Sequence, residues 1–149
     1  MASARNTALH LLSRRDYTTA ELRKKLNDRD FPEDEIATAL ASLAADRLLD
    51  DRRVASAHIR TASRIKHRGR LRIQRELQAR GIDRAVIREL IMELPAAEES
   101  ESIEHFLRRR RGTGHQTAPE RRRLFQQLMR RGFSADVIAK ALRGRADDE

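Results

Sequence analysis

The chain has 149 residues, no cysteine, no tryptophan and 3% aromatic residues, with 32 basic against 23 acidic side chains. That composition excludes a disulfide framework and thiolate metal sites, and leaves any core to Leu, Ile, Val and Ala. No apolar run approaches the roughly 18 residues of a membrane span, and the N-terminus lacks a signal-peptide core, so a soluble, cytoplasmic protein without membrane contact is expected.

The first predicted helix runs through NTALHLLSRR and ends before Asp16-Tyr17. Thr18 opens a second helix, with Glu21 three residues on completing a capping box. Leu22 and Leu26 share one face of it at helical spacing. It stops at Asp30, and a third helix starts at Pro32. Phe31 lies five positions before Ile36, the spacing of a hydrophobic staple, which fixes the angle between consecutive helices. The joint DRLLDD, packed by Leu48 and Leu49, leads into a long helix within LLDDRRVASAHIRTASRIKHR, where one of Asp50 and Asp51 caps and the other is solvated. The helix-turn-helix then recurs, with Ile73, Leu77, Ile82, Ile87 and Ile91 around a stop at Gly81 and a restart at Asp83.

Pro95 marks the next boundary. AAEESESIEHFLRRRR carries its acids first and its arginines last, the order a helix dipole favours. GTGHQTAPE holds a loop, flexible over 112–118, and Pro119 suits a first helical turn. The last pair carries Leu124, Leu128, Phe133, Ile138 and Leu142, with a stop at Gly132 and a restart at Ser134; RGRADDE is expected to fray. The apolar register repeats every 51 residues with no insertion inside the unit. Glycine just past a helix end suits the left-handed conformation that closes its last carbonyls. The expected fold is all-α: three tandem three-helix repeats over 1–49, 50–94 and 95–149, elongated and curved.

Charge singles out the middle repeat. Residues 50–94 hold 12 basic and 6 acidic side chains, whereas 1–49 are balanced at 8 and 8. Within 52–75, RRVASAHIRTASRIKHRGRLRIQR, there are nine basic residues and no acid. On a helical wheel Val54, Ala55, Ile59, Ala62 and Ile65 share one face, and Arg53, Arg60, Arg64 and His67 the other; Arg70, Arg72 and Arg75 continue the run past Gly69. Solvated helix faces mix signs, and an unneutralised one is kept for an anionic partner. The expected contact residues are Arg53, Arg60, Arg64, Arg68, Arg70, Arg72 and Arg75, toward a protein surface or DNA phosphates. A second run, RRRR at 108–111 followed by RRR at 121–123, reads equally as a solvated helix end. The five histidines form no pair at metal-ligand spacing, and no phosphate loop or catalytic grouping is present. Neither a metal, a cofactor nor an enzymatic activity is expected. The third helices carry few base-reading side chains, which argues against sequence-specific DNA recognition.

Three stretches, LLDDRRVA at 48–55, GRLRIQRELQARGI at 69–82 and LMRRGFSADVI at 128–138, resemble the RecX family, regulators of the RecA recombinase. The likeness covers about residues 6 to 143. It implies a non-catalytic protein of DNA repair, homologous recombination and the SOS response that lodges in the RecA–DNA filament; a monomer is expected. There it hinders growth or promotes disassembly, and lowers ATPase and strand exchange. The alternative is a non-sequence-specific binder of single- or double-stranded DNA that acts by competition. Asp30 departs from the glycine that often ends the second helix in that family.

Overall fold

The structure, a computed structural model, describes residues 2–110 and 117–147. Among these, nine α-helices and no strand are present: α1 (Ala4–Leu12), α2 (Thr19–Asn27), α3 (Glu33–Ala45), α4 (Asp51–Arg60), α5 (Arg70–Ala79), α6 (Arg84–Met92), α7 (Ala96–Arg109), α8 (Ala118–Arg130) and α9 (Ala135–Asp147). A π-helical turn, Thr61–Ile65, extends α4. Most of the expected loop 112–118 lies outside the described residues, and its last two positions are helical in role. Thr117 caps α8 in a complete capping box with Glu120, and Ala118 is the first residue of that helix. The segment read as a fraying tail is helical through Asp147.

The repeat pattern predicts the core. Of the apolar positions in 51-residue register, all are buried except Phe31, Ile91 and Leu142, which are half-buried. The turn between the second and third helix of each repeat is closed by a left-handed residue: Asp30 at φ 63°, Gly81 at 79° and Gly132 at 96°. At Gly81 and Gly132 this costs nothing, whereas the Cβ of Asp30 is strained there. The restart caps differ as their side chains do. Asp83 accepts from the Ala85 amide at 2.8 Å and Ser134 from that of Val137 at 3.4 Å, while Pro32 caps nothing and three acids stand after it in α3.

The chain forms two compact units, Met1–Ala57 with Leu77–Ile87, and His58–Glu76 with Arg88–Glu149. In the first, α1 and α2 pack on α3, around Leu22, Leu26, Ile36, Leu40 and Leu43. In the second, α7 and α8 pack on α9, around Ile103, Phe106, Leu128, Phe133 and Ile138.

The division cuts the middle repeat because each turn docks on the preceding repeat. In the first unit the Arg80–Gly81 turn sits on the start of α2. Thr18 Oγ1 donates to the Arg80 carbonyl at 2.6 Å, and a Cβ on Gly81 would fall inside 3.0 Å of Ala20 Cβ. In the second unit the Arg131–Gly132 turn sits on the start of α5. The amides of Gly69 and Leu71 donate to the carbonyls of Arg131 (2.8 Å) and Gly132 (3.0 Å). One inter-repeat joint is thus built twice, and the recurrence of the turn serves it.

Two expectations about the segment between repeats are corrected. Leu49 is buried but Leu48 is exposed. Asp50 caps α4 through the Arg53 amide at 3.2 Å, and Asp51 is not solvated: its Oδ1 accepts from Thr19 N at 2.7 Å and Thr19 Oγ1 at 3.0 Å. Asp51 therefore caps α2 from outside at its first amide, while Thr18 takes the Glu21 amide and donates to the Arg80 carbonyl. Glu21 does not complete the box; its carboxylate goes to Arg15 and Arg80.

Candidate nucleic-acid interface

The basic stretch 52–75 does not form one regular face. At Thr61–Ile65 the helix widens, with the Lys66 amide donating to the Thr61 carbonyl at 3.1 Å. One added residue per turn rotates the residues beyond it by about a quarter turn. Ile65, expected on the apolar face, is consequently 73% exposed, and Ser63 is buried in its stead. Buried Ser63 is satisfied: its hydroxyl donates to Glu98 at 2.9 Å, and its carbonyl accepts from Ser102 at 3.3 Å. His67 closes the segment in the left-handed region at φ 51°.

The seven expected arginines have different surroundings. In the first unit Arg53 donates to the carbonyls of Arg47 (3.2 Å) and Leu48 (3.5 Å), closing the end of α3. In the second unit three are neutralised by carboxylates, two of them far along the chain. Arg64 is bound to Glu98 at 3.2 Å, Arg68 to Glu76, and Arg70 Nε lies 2.8 Å from Glu99 Oε1. The Arg70–Glu99 angle is too poor for a hydrogen bond, so charge holds that pair, and Arg70 Nη2 donates to the Leu94 carbonyl. Burial pushes the Glu99 carboxyl above its usual range and Arg70 pulls it back. Arg75 donates along its own helix to the Leu71 carbonyl at 3.3 Å. Exposed Arg60 and half-buried Arg72 have no hydrogen bond or ion pair among the described residues. The acid-free run in sequence is therefore partly neutralised in space.

The structure also assembles a cluster that the sequence pattern does not single out. Phe106, buried in α7, carries the Arg110 guanidinium 4.6 Å and the Arg131 guanidinium 5.0 Å from its ring centre. The two charges thus stand within about a Debye length, ~10 Å, of each other. Arg72 adjoins Arg131 through the joint, where its backbone abuts Gly132. Burial first, then the charges of Arg72, Arg110, Arg68 and Arg109, push the Arg131 guanidinium below its usual range. His67 and His105, far apart in sequence, stack with centroids 3.9 Å apart and planes 20° from parallel. Burial, His105, Arg131 and Arg109 lower the pKa of His67, against Glu101. Beside the stack lies a cleft of about 200 Å³ lined by Ser63, Arg64, Glu101 and Arg108. Among the described residues no group of three or more His, Cys, Asp or Glu is arranged to hold a metal ion. Phe125 packs against the same apolar cluster as Phe106.

Family models described as the RecX first, second and third three-helix domains match residues 4–43, 50–91 and 97–142. The chain is 36% identical over 147 residues to the regulatory protein RecX of Chromobacterium violaceum, covering 99% of this chain and 93% of the relative. It is 37% identical over 138 residues to the regulatory protein RecX of Trichlorobacter lovleyi, covering 88% of each. Among solved structures, RecX from Lactobacillus salivarius is similar at a TM-score of 0.84 and 25% identity, over 95% of this chain and 93% of that one. A second, a regulatory protein RecX, has a TM-score of 0.81 at 24% identity, over 98% and 70%.

Proposed function

The chain belongs to the RecX family, and from that premise we propose that it regulates the RecA recombinase without catalysis. It acts as a cytoplasmic monomer on the RecA–DNA filament, hindering growth or promoting disassembly, and so lowers ATPase and strand exchange. The observation that carries this reading is a set of guanidiniums with no carboxylate partner among the described residues, on a chain that matches all three RecX domains. Arg60, Arg72, Arg110 and Arg131 belong to that set. Contact is led by Arg60 and Arg72. Arg64 and Arg75 are exposed enough to exchange their present bonds for partner contacts, whereas Arg53, Arg68 and Arg70 first hold the fold.

The test is the DNA-dependent ATPase of the cognate RecA, titrated with this protein at fixed DNA. Inhibition far below one copy per RecA protomer, weakened by Arg60→Glu, is the expected result. Absence of inhibition, together with tight DNA binding by the protein alone and a steep salt dependence, would replace the filament reading by simple competition for DNA.

A further inference from the structure

The two inter-repeat joints occupy equivalent positions in the repeat and are opposite in charge. Glu21 and Arg72 occupy the same place in the 51-residue register, the third position of α2 and of α5, and so do Arg80 and Arg131 in the docking turns. In the first joint Glu21 Oε1 receives Arg80 Nε at 2.7 Å. In the second, the acid has become Arg72, whose backbone abuts Gly132 and whose charge acts on Arg131. No carboxylate among the described residues takes the place of Glu21 there. Arg110 adds a third guanidinium through the shared Phe106 ring. Arg72 also stands in the first turn of α5, where a helix dipole favours negative charge.

Several like charges so placed destabilise the free protein through self-repulsion, and an anion supplied from outside removes that cost. We propose that this joint is a phosphate site, in which Arg72, Arg110 and Arg131 grip the backbone of a DNA strand. The inference rests on the filament reading and assigns the DNA contact within it. A nucleic-acid backbone is favoured over an acidic protein surface because protein–DNA interfaces are much more positively charged than protein–protein ones. Planar guanidiniums match phosphate oxygens two at a time. The heads of Arg110 and Arg131 are already oriented here by the Phe106 ring, so little ordering of them remains for binding.

The decisive variant is Arg72→Glu, which restores the attractive pair of the first joint. Its stability and its binding are expected to move in opposite directions, which separates loss of a site from loss of the fold. Binding is read by anisotropy of a fluorescein-labelled oligo(dT) strand over a range of salt. Wild type binds with log K falling linearly in log salt. Arg72→Glu is expected to melt at a higher temperature, yet to bind at least tenfold more weakly. Its salt slope is expected to be shallower by about 1 to 2, at ~0.7 per phosphate contact on a single strand. Arg110→Gln, at the end of α7, is expected to lose one such contact and reduce the slope by about 0.7.

Unchanged affinity and slope in both variants overturns the proposal. So does retention of oligo(dT) binding with loss of RecA ATPase inhibition, which would assign the joint to a protein surface. If oligo(dT) binding depends on these arginines but wild type never inhibits RecA, the phosphate site stands and the filament reading falls.

Discussion

Replacing Gly69 by alanine tests the joint on which both readings of the basic region depend. Gly69 precedes α5, and its backbone conformation lies outside the left-handed region, so the substitution introduces no torsional strain of its own. The difficulty is purely steric: the new Cβ would fall inside 3.0 Å of the Gly132 carbonyl group and the Phe133 amide, which are backbone atoms with no rotamer to give. Carbon contacts relax only at about 3.5–4.0 Å. The turn must therefore retreat, and it takes with it the Gly69–Arg131 and Leu71–Gly132 hydrogen bonds at 2.8 and 3.0 Å. Two net hydrogen bonds are worth ~1–3 kcal/mol, and the lost packing around buried Phe133 adds to this. A gain of ~0.4–1 kcal/mol from a stiffer unfolded chain opposes it. A loss of about 2–4 kcal/mol results, or a Tm lower by roughly 5–12 °C for a chain of this size. Circular-dichroism melts measure the first quantity, and amide exchange at Leu71 reports the joint directly. A Tm within 2 °C of wild type (about the effect of ~1 kcal/mol), with Leu71 still protected, would refute the docking of this turn on α5.

The same reasoning gives opposite signs at two other turns. Asp30→Gly relieves a left-handed residue and is expected to stabilise by up to ~1 kcal/mol, whereas Gly81→Ala meets both a positive φ and Ala20 and destabilises, each read from urea midpoints at constant m. Asp51→Ala removes two bonds at the start of α2 and is expected to cost ~1–2 kcal/mol, more than Asp50→Ala; equal midpoints for the two would deny Asp51 its capping role. The depressed pKa of His67 contributes stability that is present above its unfolded value of 6.5 and is lost as pH falls through the folded value. Wild type should therefore lose denaturant resistance from pH 7.5 to 5.5, and His67→Asn, which tolerates the left-handed backbone, should lose less; parallel losses in the two proteins would exclude His67 as the origin.

The elements most legible from sequence were those set within a few residues. Leu22 and Leu26, the stop at Gly81 and the cap at Asp83 act across one or two helical turns, so their spacing contains the whole interaction. The charge pattern was legible as composition and misleading as geometry. Arg64 and Arg70 look unopposed in the sequence because Glu98 and Glu99 reach them only when α7 packs against the widened turn at Thr61–Ile65. That widening is invisible to a 3.6-residue wheel, which therefore places Ile65 on the apolar face although it is exposed. The reversal from Glu21 to Arg72 was present in the 51-residue register. Its meaning required knowing that the residue opposite each of them is Arg80 or Arg131, a contact made between repeats and not within one.

The joint has a direction, since a turn on one repeat always meets a helix start on the repeat before it. Asp30 occupies the turn of the first repeat and is exposed. A side chain is thus tolerated at Asp30, where the other two turns admit only hydrogen. Insertion or deletion of a whole 51-residue period would leave every turn with its correct neighbour. A change of length by any other amount would strand one of them. The architecture is therefore elastic in the number of repeats and rigid in their size, and the charge at each joint is a separate variable that substitution of a single residue can set.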